Sequence, residues 1–463
     1  MWRNTFLLCS AALVLAVLTP APRADGADPP VTGVGVGKDA TTQPALDLTD
    51  RPRSTDKGKP SAAMDANAIA NDPDVKLLVK GLNEFAIDLY KEIAKTEKGN
   101  IFLSPFSISS ALAMTYAGAR GKTADEMAKV LHFPPELLKD DAKRLHAAFG
   151  KLNAHLNAEK TPDGKPLKYE LVTANALWGQ VGYPFLEGFI RTNRESYGGR
   201  IDLLDFRSDK HGAVGKINSW VAEQTRRKIP DIVNLESLNK DTRLFLANAV
   251  YFKGAWEEPF DKRVSGEGGF HLSSKEDVKV TFMRRRGNAG YDLLRIPSGS
   301  GSPGDAEAQV LELRYLGGDV SMVVFLPREA NSLPDLEAGL SSRVFDFRWP
   351  TVELRISFPK YKQERLVKLT ETLGRMGMQT PFKDGTADFS GMDGGKRLFI
   401  SDVVHKAFIE VNEEGTEAAG ASMATLSTRG QRPVFEADHP FFLAIRHLST
   451  GCILFAGRVV DPR

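Results

Sequence analysis

Cysteine is nearly missing from this chain, with two among 463 residues, Cys9 and Cys452. That scarcity excludes a disulfide-stapled scaffold and a paired Cys-x-x-Cys site, so the fold must be held by its core. An excess of one charge is missing too: 61 Lys plus Arg face 59 Asp plus Glu, for a formal net charge of +2. Such a balance leaves no general electrostatic footprint for nucleic acid. The eight histidines are scattered without metal-ligand spacing. There is no His-Glu-x-x-His, no Gly-x-Ser-x-Gly elbow and no dinucleotide fingerprint between a strand and a helix. No cofactor, no metal and no enzymatic activity are expected. Asn-x-Ser/Thr acceptors are also absent, which argues against N-glycosylation. What remains is ordinarily globular, with 42% hydrophobic and 26% charged residues, and excludes a collagen, a fully disordered chain or a polytopic membrane protein.

The N-terminus has the pattern of an export signal. Arg3 supplies the positive start, Phe6 to Leu18 form an apolar run too short to span a membrane comfortably, and Ala24-Asp25-Gly26 offers a small-residue cleavage site. A secreted protein, extracellular or periplasmic, is therefore expected, with residues 1–26 as signal peptide and no transmembrane domain. Cys9 would leave with the signal, and Cys452 would remain unpaired as a small buried hydrophobe. Residues 27–73 are rich in Gly, Pro, Thr, Asp and Lys, and no aromatic residue occurs between Phe6 and Phe85. This stretch has the composition of a flexible linker. Its Gly33–Lys38 run lacks the first glycine and the Ser/Thr of a phosphate loop.

From residue 74 to 463 no second break of that size occurs, so one large domain is expected. Val75, Leu78, Val79, Leu82, Phe85, Ala86, Leu89 and Ile93 recur at helical spacing before a Gly99-Asn100 stop. Helices are also predicted over Ser107–Gly118 and from Lys216 towards Lys228, ahead of Pro230. Strand-length apolar runs follow at 243–252, 320–326, 352–358, 403–411, 441–445 and 452–460. Helices early and strands late give a mixed α+β class with antiparallel pairings.

Between two of those strand signals lies a long stretch, Glu413 to Pro433. About 20 residues of loop inside a compact domain call for a functional or a disordered explanation. At period two, Thr416, Ala418, Gly420, Ser422, Ala424, Leu426 and Thr428 would share one face, which is free of bulk and charge. A loop that can become a buried strand is chemically permitted, and a flexible Ala/Ser linker fits the composition equally well.

The stretch Gly415-Thr416-Glu417-Ala418-Ala419-Gly420-Ala421 resembles the inhibitory hinge of the serpins. Similar family signatures are Asn100-Ile101-Phe102-Leu103-Ser104-Pro105, Ile217–Val221, Asn248 with Tyr251–Trp256, His405-Lys406-Ala407, Asp438–Phe441 and Gly451–Arg458. The resemblance implies a fold of three β-sheets and about nine helices with an exposed reactive-centre loop. It implies a suicide-substrate inhibitor, most plainly of trypsin-like serine proteases, and a monomer. Counting sixteen positions from the hinge glutamate Glu413 places the reactive bond at Arg429-Gly430, since Arg432 precedes Pro433. Glu413, Glu414 and Gly415 begin the hinge, and Glu413 is implied to pair with Lys360 near Trp256. Ser104, Ser107, Asn248 and His405 are implied to form a polar cluster that governs sheet opening. A basic helix in some members binds polyanions; Lys139, Lys143, Arg144, Lys151 and His155 lie in the comparable region. Glu136, Asp140 and Asp141 dilute that patch, so a solvated helix face is the default expectation. The Arg284-Arg285-Arg286 run is expected at the exposed surface. A non-inhibitory serpin, acting as a binding or chaperone-like protein, is the alternative, disfavoured by the small hinge residues.

Overall fold

Burial explains the first long helix directly. In a computed structural model of the chain, the helix Pro73–Thr96 buries every one of the eight periodic apolar residues, Val75 to Ile93. Asp72 caps it by accepting from the backbone N–H groups of Asp74 and Val75 at 2.9 and 3.1 Å, and Pro73 takes the first position, where no donor is needed. The structure describes residues 66–157, 169–198, 201–238, 242–273, 276–297, 305–415 and 432–463. All belong to one compact unit, residues 61–463. Residues 1–26, expected as a signal peptide, and most of the expected linker lie outside the described residues, but Ala66–Asn71 is helical, so regular structure starts ahead of residue 74.

The central sheet contains five strands: β1 Tyr169–Gln180, β2 Ile201–Leu204, β3 Leu244–Gly254, β4 Tyr361–Lys368 and β5 Val403–Val411. Their order is β4-β5-β3-β1-β2. The β5/β3 seam is parallel, running from Val403↔Leu246 to Phe408↔Tyr251, whereas β4 and β1 pair antiparallel with β5 and β3. Both faces of β3 are buried, and the period of two sorts them. Phe245, Ala247, Ala249 and Tyr251 join a small core with Ala213, Ile217 and Val221 of the helix Lys210–Gln224. Leu246, Asn248, Val250 and Phe252 face the other way, where Asn248 meets the start of the helix Pro105–Tyr116; every residue of that helix is buried, and Ser104 caps it.

Three sheets are implied by the resemblance, and hydrogen bonding joins the remaining strands into one nine-stranded network. The reason is a single 22-residue strand, Glu276–Pro297, which serves successive partners along its length. Its residues 276–282 pair with Gly266–Ser273, 282–290 with Thr351–Pro359 and 290–297 with Asp305–Arg314. Ten α-helices and four 3₁₀ turns lie among the described residues. The core strands Val320–Pro327, Phe441–His447 and Ile453–Val459 are buried at every position. Cys452, a free thiol, is fully buried beside them, and desolvation pushes its pKa far up, so it acts as a hydrophobe. The arginine run departs from expectation. Period two turns Arg285 inward, where its side chain is only 7% exposed, bonds Glu258 at 2.6 Å and lies over the Phe260 ring. Burial lowers its pKa.

Candidate functional site

At the end of β5 the chain reverses. Asn412 and Gly415 exchange backbone hydrogen bonds at 3.1 Å in both directions, and the Asn412 side chain accepts from the Glu414 N–H at 3.1 Å. The reversal needs glycine at its last position. Gly415 has φ +113°, and an added Cβ would sit 2.3 Å from the Gly254 carbonyl oxygen and 2.6 Å from Ala255 Cα. Gly415 is thereby bridged antiparallel to Asn412 on one side and to Ala255, just past β3, on the other. It occupies the first rung of a strand position between β5 and β3.

Three successive carbonyls of this turn are held from the β3 side. The Trp256 indole Nε1–H donates to Asn412 O at 3.0 Å, the Phe260 N–H to Glu413 O at 2.8 Å and the Trp256 N–H to Glu414 O at 3.1 Å. Trp256 is fixed in turn by stacking on Tyr315, with ring centroids 4.5 Å apart. Around this frame lie charges. Lys360 Nζ stands 3.2 Å from the Glu413 carboxylate, with side chains 47% and 9% exposed, and Lys262 pairs with Glu414. An ion pair that is half in water contributes about 0–1 kcal/mol.

Further down the same seam the polarity is of another kind. His405 and Asn248 are register partners across β5 and β3, and both point at the N-terminus of the helix Pro105–Tyr116. The Ser104 N–H donates to His405 Nε2 at 3.0 Å, so the proton of the neutral ring is on Nδ1 and goes to Asn248 Oδ1. The Asn248 amide donates to Ser107 O at 2.9 Å, to Ser107 Oγ at 2.6 Å and to Asn175 Oδ1. Ser104 Oγ donates to Leu454 O at 2.7 Å and accepts from the Ser107 N–H. With no exposed surface, His405 has its pKa pushed down by desolvation to about 3, which keeps it neutral. It carries no free lone pair for catalysis.

Ser104, Ser107, Asn248 and His405 are thus brought into one cluster, and Glu413, Glu414, Gly415, Trp256 and Lys360 into another. Asn175 belongs to the first and is missing from the sequence reading. Its signal was Ala174-Asn175-Ala176, the same motif as Ala247-Asn248-Ala249, and the two asparagines are cross-strand partners. Thr416, Glu417, Ala418, Ala419, Gly420, Ala421, Arg429 and Gly430 lie outside the described residues.

The basic helix of the resemblance is largely spent on its own fold. Arg144 grips Asp74 with two nitrogens, Lys151 bonds Asp72 at 2.5 Å, and His155 packs its ring edge-on against His447 at 5.0 Å. Burial lowers the His155 pKa, so it adds no charge. Lys139 and Lys143 stay exposed beside Glu136, Asp140 and Asp141, and Arg144 is exposed as well although it is paired with Asp74. Among the described residues no group of three or more His, Cys, Asp or Glu could hold a metal ion, and no helix is long and apolar enough to cross a membrane.

A family model described as "Serpin (serine protease inhibitor)" matches residues 80–462. Over 395 residues the chain is 38% identical to the leukocyte elastase inhibitor of Xenopus laevis, covering 83% of this chain and 99% of the relative. The human leukocyte elastase inhibitor is 37% identical over 390 residues, 82% of this chain and 97% of that protein. Among solved structures, Serpin48 of the insect Tenebrio molitor superposes with a TM-score of 0.71 at 34% identity, over 83% of this chain and 98% of the other.

Proposed function

The chain belongs to the serpin family of serine protease inhibitors, and from that premise we propose that it traps trypsin-like proteases as a suicide substrate cleaved at Arg429-Gly430. The observation that carries the reading is Gly415, bridged antiparallel to both Asn412 and Ala255. Because β5 and β3 run parallel, one strand continuing from Gly415 down the seam would pair antiparallel with both. The direct β5/β3 ladder would be exchanged for two ladders, a gain on the order of ten backbone hydrogen bonds at about 1 kcal/mol each. That gain is comparable with the stability of a whole domain, enough to drag an acylated protease and distort it before water hydrolyses the ester. Of the residues due to enter, Thr416 to Ala421, all but Glu417 are small, and Glu417 would face away from the buried side.

Specificity rests on this chain's own residue, since the two sequence relatives named above are leukocyte elastase inhibitors. Arg429 suits a pocket that ends in a carboxylate, where a guanidinium makes two charge-assisted hydrogen bonds. Mixing the protein with trypsin should give an SDS-resistant adduct, and Arg429→Glu should abolish it. An adduct from that variant would refute the loop register. Clean turnover by the unaltered chain, without adduct, would favour the non-inhibitory alternative. The export signal supports secretion, tested by the N-terminal sequence of the protein recovered outside the cell.

A further inference from the structure

The strands that follow the loop present a face of arginines. Val434–Glu436 pairs with Thr351–Pro359 in the register Val434↔Arg355, and that strand pairs with Glu276–Pro297 through Arg286↔Arg355 and Arg284↔Ser357. Directly opposed residues share a face, so Arg286 and Arg355 stand side by side, with Arg284 two residues along and Arg432 just ahead of Val434. Leu354, Ile356 and Met283 are buried on the other face, while Arg286, Arg355 and Val434 are exposed, Val434 by 41%. Like charges placed directly opposite destabilise a sheet, and little here offsets them. Glu353 serves two guanidiniums, Arg286 at 2.8 Å and Arg432 at 3.2 Å. Arg355 has no carboxylate within ion-pair distance among the described residues. Among the described residues Glu436 is the second acid on the face, so four arginines, of which Arg284 lies over the Phe282 ring and donates to the Val264 and Gly266 carbonyls, face two carboxylates.

We propose that this face docks an acidic patch beside the active cleft of the target protease. The inference rests on Arg429-Gly430 as the cleaved bond. Val434 follows Arg429 by five residues, at most about 18 Å of extended chain. A standard interface of about 800 Å² per partner is about 30 Å across, so a protease holding Arg429 covers the same ground. The exposed Val434 and the interspersed Glu353 and Glu436 favour a protein surface over a polyanion, which would meet an uninterrupted row of cations. A charged rim of this kind acts chiefly on the rate of encounter.

Anionic and cationic trypsin share a preference for arginine and carry opposite net charge, so their association rates with the full chain separate the contributions. Between 50 and 300 mM salt, the rate with anionic trypsin should fall by about tenfold and that with cationic trypsin far less. Arg355→Glu should slow anionic trypsin by about five- to tenfold and cationic trypsin by no more than about twofold, at unchanged inhibitor-to-protease stoichiometry. Arg355→Gln should give a smaller shift in the same direction. Equal changes with both enzymes, or none, overturn the docking face while leaving the adduct intact. No adduct between the unaltered chain and either trypsin overturns the reading beneath it and the face with it. Heparin acceleration that is lost in Arg355→Glu, without discrimination between the trypsins, reassigns the face to polyanions and overturns the proposal.

Discussion

The two polar sites on the β5/β3 seam are built to different standards. At the upper end, Glu413–Gly415 is held by backbone hydrogen bonds to Trp256 and Phe260, with the charges of Lys360 and Lys262 partly in water. Midway down, Asn248, His405, Ser104 and Ser107 are buried, neutral and bonded to one another and to Asn175. A wet ion pair costs little to break and re-form. A buried network loses a full desolvation penalty for every partner removed. The seam is thus cheap to enter at the top and costly to part in the middle, which suits the proposed mechanism, in which a strand enters only after cleavage supplies the drive.

The strongest way to break this contrast is to make entry itself impossible. Thr416→Arg would require a guanidinium to pass into the sheet interior, an unpaired buried charge. Trypsin should then cleave the loop catalytically, and the yield of SDS-resistant adduct should fall by more than tenfold; retained adduct would contradict insertion. The next largest effect lies in the middle cluster. Asn248→Ala strands the His405 Nδ1–H and takes away the donor to Ser107 Oγ, and should cost about 2–4 kcal/mol in denaturant unfolding. That loss should come with easier spontaneous opening of the sheet, seen as faster conversion to an inactive form on mild heating.

Acid sharpens the same point. His405 is held near pKa 3 when folded and returns to about 6.5 when unfolded, so the unfolded state binds the extra proton. Its contribution is whole above pH 6.5 and is lost at up to about 1.4 kcal/mol per pH unit as pH falls towards 3. His146 and His447, with pKa values lowered by burial to about 4 and about 3, add to the acid slope. His405→Gln should remove only its own share, and an unchanged slope would mean the ring is not buried as described. The smallest effect belongs to the top: Lys360→Ala should change stability in denaturant unfolding by no more than about 1 kcal/mol.

The contrast also marks what a linear sequence reveals. The periodic residues Val75 to Ile93 and the apolar run Val403–Val411 stand out because one face or both faces of those elements are buried. Strand β1 does not stand out because Glu170, Thr173 and Asn175 interrupt its apolar pattern, and the reason for the asparagine is a partner on β3. Asp72 and Asp74 neutralise Lys151 and Arg144 from a helix about seventy residues earlier, so a basic patch on paper becomes an internal clasp. Arg285 is buried because alternation turns every second strand residue inward, even in the middle of three arginines. Gly415 read as one residue of a hinge; its positive φ and its contact with Gly254 become visible only when the chain is folded.

Thermal unfolding before and after a single cut in the loop addresses the central claim most directly. If Gly415 marks the mouth of an unfilled strand position, the nicked protein should melt at least about 10 °C higher than the intact one, as ten new hydrogen bonds require at this size. A nicked protein that melts at the same temperature or lower would mean that no strand is added, and the account of inhibition would fail with it.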